Sequence, residues 1–264
     1  MNKVGVSMSE STSLYWQQEG SGEDLVLVHG WGMNGAVWQQ TVEKLSQHFR
    51  VHVVDLPGYG HSADVHAEDL DEIAAMVLEL APQQAIWVGW SLGGIVATHI
   101  GLNHPERVSK LVTVASSPKF SAQRPWRGIK PDVLNMFTQQ LVEDFQLTIE
   151  RFMALQAMGS PTARHDVKAL KKAVLSRPLP NQNSLLLGLQ LLADVDLRDK
   201  LQQLTMPLLR LYGRLDGLVP VKVATDLQEL APESQHFVFS DSSHAPFMTE
   251  PEAFCLQLIQ FSGK

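Results

Sequence analysis

Residues 89–93 read Gly89-Trp90-Ser91-Leu92-Gly93. A serine flanked at two positions either side by glycine, after an apolar run and before a helix-forming stretch, fits a nucleophile on a sharp strand-to-helix turn. Glycine-rich loops produce the same five letters by chance, so the neighbouring residues must carry the reading. A serine hydroxyl is a weak nucleophile and needs a base within hydrogen-bond reach. Of ten histidines, His244 lies in the turn-like stretch Ser242-Ser243-His244-Ala245-Pro246-Phe247, where a surface loop can present a catalytic group. His48, His52 and His236 fall in or beside strand-like runs, and His99 and His104 in or after a helix-like one. His61, His66 and His165 sit in polar surroundings. The base in turn needs an acid to orient it and stabilise its protonated form. Asp216 follows the apolar run Leu208 to Tyr212, in Gly213-Arg214-Leu215-Asp216-Gly217. Alone it would read as a turn aspartate before glycine. Asp55 also ends an apolar run, but it precedes Ser91 in a turn-rich loop and reads as structural.

A tetrahedral oxyanion needs two donors. The N–H of Leu92 is one candidate. The turn His29-Gly30-Trp31-Gly32 supplies the other from Trp31, whose indole could also wall an acyl pocket.

These groups need a scaffold that brings distant loops to one edge. Strand-like runs are expected at Ser13 to Gln18, Leu25 to Val28, Val51 to Val54, Ala85 to Val88, Lys110 to Ala115, Pro207 to Tyr212 and Gln235 to Phe239. Helical spacing is expected at Leu70 to Leu80, after Ser91 as far as Asn103, at Val221 to Leu230 and at Pro251 to Phe261. Short apolar strands alternating with helices predict an α/β fold, a mostly parallel central sheet with helices on both faces. The alternation stops near Pro118. From Phe120 to about Asp196 the pattern is helical, with prolines as punctuation. We therefore expect residues 1–118 and 197–264 to form one core and residues 119–196 a helical lid inserted into it.

Composition narrows the function classes. The chain has 264 residues, 44% hydrophobic and 19% charged, with a net charge of -7. That acidity disfavours nucleic-acid or membrane-surface binding by the whole molecule. A single cysteine, Cys255, rules out an intramolecular disulfide and a thiolate metal cluster. The start MNKVGVSMSESTS lacks an apolar stretch of signal-peptide length, and no run approaches the roughly 18 apolar residues of a membrane span. A cytoplasmic protein, expected to be a monomer, follows. Serine–histidine–aspartate chemistry needs no metal or cofactor, and no histidine–carboxylate cluster has ligand spacing.

With the His29-Gly30 turn, the Asp55-Leu56-Pro57-Gly58-Tyr59-Gly60-His61-Ser62 loop, the serine turn, Asp216 and His244 in order, the chain resembles the α/β-hydrolase superfamily over nearly its whole length. The order serine, aspartate, histidine is the one that fold uses. The stretches GWSLGG, HPERV, LVTVASSP, GIKPDVL, ERFMALQ, RLYGRLDGLVP and HAPF look like the esterases that cleave pimeloyl-[acyl-carrier protein] methyl ester in biotin synthesis. That resemblance implies methyl ester hydrolysis with release of methanol, and acyl-carrier protein as the partner. It also implies substrate contacts from Trp31, Ser91, Leu92, His244 and the segment Phe152, Met153, Ala154, Leu155 and Gln156.

Charge distribution points to the same partner independently. Between Lys119 and Arg177 ten basic residues meet five acidic ones, a balance of +5, so the remainder carries -12. Arg164, Lys168, Lys171 and Lys172 recur at helical spacing. With Arg151 they make a basic face suited to an acidic carrier bearing a phosphorylated arm; a solvated, salt-bridged helix face is the alternative. Where the resemblance leads one to expect a further basic residue stands Leu147, so docking is expected to lean on Arg151, Arg164 and Lys168. Phe152, Met153, Leu155 and Met158 could line an acyl tunnel or simply pack a helix. Rival functions are a broad short-chain carboxylesterase, a carbon–carbon hydrolase with the same three residues, and a non-catalytic ligand receptor on the same fold.

Overall fold

In the computed structural model, which describes residues 13–264, seven strands form one sheet in the order β1-β3-β2-β4-β5-β6-β7. The strands are β1 (Trp16–Gly20), β2 (Asp24–Val28), β3 (Arg50–Val54), β4 (Ala85–Trp90), β5 (Val108–Val114), β6 (Leu208–Gly213) and β7 (Gln235–Phe239). All neighbours run parallel except β1, an edge strand antiparallel to β3. Most of the N-terminal stretch read for a leader peptide lies outside the described residues. The first strand begins at Trp16 and not at Ser13, because its register is set by pairing Trp16 with Val54 and Gly20 with Arg50.

The helices are α1 (Gln39–Leu45), α2 (Leu70–Leu80), α3 (Leu92–Asn103), α4 (Pro131–Glu143), α5 (Phe145–Ala157), α6 (Ala163–Leu175), α7 (Gln182–Asp194), α8 (Lys222–Leu230), α9 (Pro246–Thr249) and α10 (Pro251–Ser262). Among the described residues no helix is long and apolar enough to cross a membrane. Strands β2 and β4 are almost wholly buried, which is why they read as continuous apolar runs and not as alternating ones.

Helices α4 to α7 lie between β5 and β6 in the chain, with α4 packed on α5 and α7, and α5 on α6. Their starts follow the proline and cap signals: Pro131 opens α4, and the Asp144 side chain accepts from Leu147 N–H at the start of α5. Helix α6 buries Asp166, Leu170 and Val174 along one stripe and exposes Arg164, Lys168, Lys171 and Lys172 on the other, the split that a 3.6-residue period imposes.

The chain runs from β2 outward to β3 and then crosses back to β4 on the other side of β2. Loops leaving the carboxyl ends of β2 and β4 therefore diverge around a crevice, the usual place for a ligand in an open α/β sheet.

Candidate active site

Each chemically capable residue sits just past the carboxyl end of a strand. Ser91 follows β4, with φ 54° and ψ −118°, a region that costs a non-glycine residue about 1–3 kcal/mol. The turn is tight on both sides. A Cβ on Gly89 would collide with the Gly93 carbonyl, and one on Gly93 would come within 2.5 Å of the Val28 carbonyl oxygen. The strained serine is held by its own backbone: its N–H donates to Val114 O at 2.9 Å, and its carbonyl accepts from Ser116 Oγ at 2.8 Å.

His244 Nε2 lies 2.9 Å from Ser91 Oγ, and His244 Nδ1 lies 2.8 Å from Asp216 Oδ2. The other oxygen, Asp216 Oδ1, accepts from the N–H groups of Leu218 (2.8 Å) and Val219 (3.0 Å). A carboxylate so occupied can only accept, which places the proton on Nδ1 and leaves Nε2 free to accept from Ser91. All three side chains are buried, so their electrostatic interactions are only weakly screened. His244 is gripped on two sides: its carbonyl accepts from Trp90 Nε1 at 2.7 Å, and its N–H donates to Gln156 O at 3.1 Å. Below it Phe247 packs on Trp38 (4.1 Å between ring centres) and Trp90 (4.9 Å).

Leu92 opens α3, so its N–H is among the first-turn donors that a helix leaves unpaired, at the positive end of the helix dipole. Opposite it, a Cβ on Gly30 would lie 3.1 Å from Ser91 Cβ, which brings the Gly30-Trp31 backbone against the serine. The turn is pinned by His29, whose Nδ1 donates to Gly30 O (2.9 Å) while its Nε2 accepts from Leu56 N–H (3.0 Å). Burial lowers the His29 pKa to about 4, despite the nearby Asp55 carboxylate. The Trp31 indole donates to Leu185 O on α7 at 2.8 Å and meets Phe152 of α5 edge-on at 4.7 Å.

The segment 152–156 divides by helical phase. Phe152, Met153 and Gln156 are buried, Leu155 is half-buried, and Ala154 faces solvent, because successive helical residues turn by about 100°. Met158 is exposed. Both side-chain polar atoms of Gln156 are buried without a hydrogen-bond partner among the described residues. Arg151, Arg164, Lys168 and Lys171 are exposed, and Lys171 is paired with Glu150 at 2.6 Å. Leu147, one turn before Arg151 on α5, is 41% exposed.

Asp55 is fully buried and accepts from Gly35 N–H (2.6 Å), His61 N–H (2.8 Å) and Arg177 Nη1 (2.7 Å). The reading of the sequence did not single out Arg177 as its partner. Position in the chain gives no hint, since 122 residues separate the two.

Comparison with known proteins agrees with this fold. A family model described as the alpha/beta hydrolase fold matches residues 25–251. The chain is 73% identical over 253 residues to the pimeloyl-[acyl-carrier protein] methyl ester esterase of Vibrio campbellii, covering 96% of this chain and 100% of that one. It is 74% identical over 252 residues to the protein of that name from Vibrio cholerae, covering 96% and 99%. Among solved structures, an esterase from Exiguobacterium antarcticum superposes with a TM-score of 0.84 at 26% identity, covering 95% of this chain and 96% of that one.

Proposed function

The chain belongs to the α/β-hydrolase fold family and, within it, to the pimeloyl-[acyl-carrier protein] methyl ester esterases, and from that premise we propose how its residues cleave a carrier-linked methyl ester. The observation that carries the proposal is the hydrogen-bonded series Ser91–His244–Asp216 at 2.9 and 2.8 Å. His244 takes the Ser91 proton as Oγ attacks the methyl ester carbonyl. The N–H groups of Trp31 and Leu92 hold the oxyanion. His244 then protonates the departing methoxide, and methanol leaves. Water, deprotonated by His244, releases the free carboxylate and restores Ser91. Asp216 stays ionised throughout and stabilises the imidazolium.

Substrate placement follows from the helices between β5 and β6, which we read as a lid over residues 119–196. Phe152 and Met153 offer an apolar wall beside Trp31, and the unpartnered Gln156 amide is the polar group available to a buried ester or thioester carbonyl. On the outer surface Arg151, Arg164 and Lys168 form the face for an acidic carrier protein; Lys171, held by Glu150, contributes less. On this reading the enzyme acts in biotin biosynthesis as a cytoplasmic monomer, and the serine–histidine–aspartate chemistry calls for no cofactor.

Mass spectrometry of methyl-pimeloyl carrier protein after incubation tests the reading. The expected product has lost the methyl group and kept its thioester, and Ser91→Ala leaves the substrate intact. Release of the acyl chain from the carrier, or turnover by Ser91→Ala, would overturn it.

A further inference from the structure

Asp166 is a buried carboxylate that the mechanism does not use. Its Oδ2 accepts from Ser160 Oγ (2.9 Å), Thr162 Oγ1 (2.9 Å) and Thr249 Oγ1 (3.1 Å). Among the described residues its one ion-pair partner is His165, a partner only when protonated, whose exposed ring nitrogen lies 3.6 Å from Oδ1. No lysine or arginine pairs with it among the described residues. Burying a carboxylate among hydroxyls with no lysine or arginine beside it costs stability that a neutral side chain would not cost. All three donors converge on the one oxygen Oδ2, where an ionised carboxylate is a stronger acceptor than the neutral amide oxygen of asparagine.

The three hydroxyls belong to two different parts of the chain. Ser160 and Thr162 sit in the turn between α5 and α6. Thr249 ends α9, five residues after His244. The same turn and the last residues of α5 hold the start of the His244 segment as well: Ser243 Oγ donates to Met158 O (3.0 Å), and His244 N–H to Gln156 O (3.1 Å). Residues 243–249 are thus fastened at both ends to residues 156–166. The stretch between β7 and α10 has one short helix and little regular structure of its own, so its backbone depends on these outside partners.

We propose that Asp166 is a positioning residue for His244, acting through Thr249 to fix the loop that sets the Nε2-to-Ser91 distance. The proposal rests on the reading of Ser91, His244 and Asp216 as the reacting groups. It makes the α5–α6 turn part of the base's support and not only a cover over the substrate. Small displacements of a base relative to its nucleophile cost rate steeply, up to about a hundredfold for 1 Å.

The test compares Thr249→Val, Thr249→Ser and Asp166→Asn on 4-nitrophenyl acetate, a small ester that needs no carrier, with thermal melting to establish the folded fraction. Thr249→Val and Asp166→Asn are expected to lower kcat about tenfold with KM held within about twofold. Thr249→Ser, which restores the hydroxyl, is expected to stay within about twofold of the parent in kcat. A Thr249→Val enzyme that melts earlier but keeps its kcat per folded molecule would overturn the proposal, as would equal losses in the valine and serine variants. Because Thr249→Val preserves shape, it decides the matter even where Asp166→Asn fails to fold. Ser91→Ala is run alongside: parent-level turnover there would remove the catalytic reading beneath the proposal, whereas failure of the Thr249 pair alone leaves that reading standing.

Discussion

Arg177 Nη1 lies 2.7 Å from Asp55 Oδ1, and the pair is buried, with the two side chains 8% and 0% exposed. Arg177 follows α6, whereas Asp55 follows β3, and Asp55 also holds the N–H groups of Gly35 and His61. Nearby, Asn34 Nδ2 donates to Val174 O at the end of α6. The inserted helices are therefore tied to the loop that carries Trp31.

Removing one member of a buried ion pair leaves an uncompensated charge, which costs about 3–5 kcal/mol. Arg177→Met is accordingly expected to lower the free energy of unfolding in urea by about that amount. A loss under about 1 kcal/mol would show that the pair is as weak as a surface one.

Burial of His29 is expected to make the protein acid-sensitive in a defined window. Its folded pKa is lowered to about 4 by burial, so below pH 6.5 the unfolded chain takes up a proton that the folded chain refuses. Stability is then full above 6.5 and falls as the pH drops toward 4, by about 3 kcal/mol from this group. Denaturation curves at pH 7, 5.5 and 4 should show that loss, and His29→Asn should flatten it. An unchanged pH slope in the variant would assign the sensitivity elsewhere.

Gln156 buries an amide with no hydrogen-bond partner among the described residues, and the proposed contact with substrate would give it one. Leaving a buried amide unpaired costs about 1–3 kcal/mol. Gln156→Leu, of similar volume, should therefore melt at or above the parent temperature while cleaving carrier-linked methyl ester at least about tenfold more slowly. Undiminished cleavage by this variant would mean that the amide is not used.

The exposed cations of α6 are expected to act on the carrier and not on the chemistry. Arg164→Glu combined with Lys168→Glu should raise KM for methyl-pimeloyl carrier protein about tenfold or more, with turnover of a small ester within about twofold. The effect should shrink with added salt, since exposed charges are screened. Parallel losses on both substrates would count against a docking face. Lys171 is a poorer choice for this test than its place in the stripe suggests, because Glu150 already neutralises it.

Local chemistry made much of the scaffold readable in advance. The buried strands announce themselves as apolar runs, and α2 was expected over the same bounds, Leu70 to Leu80, that it occupies. Edge strand β1 starts three residues and ends two residues later than its expected bounds, since exposed residues such as Gln17 and Gln18 carry little hydrophobic signal and take their register from β3. The exposed face of α6 is legible through helical periodicity, whereas along α5 and its C-terminal cap the exposed Ala154 and Met158 are not told apart from their buried neighbours. Which polar residues those helices bury was not: Asp166 sat in the charge count as one acid among five, and Gln156 as one residue of a substrate-facing segment.

Spacing and order along the chain were enough to select Ser91 with its flanking glycines, Asp216 and His244, and the α/β architecture that could assemble them. Such features are local, because a strand ending, a strained turn and a helix start are decided within a few residues. The contacts that hold the assembled site are of another kind. Gln156 O against His244 N–H, Thr249 against Asp166, and Arg177 against Asp55 join segments 80 or more residues apart. Those partners are chosen by packing, when desolvation forces each buried donor and acceptor to find whatever the fold has brought within reach.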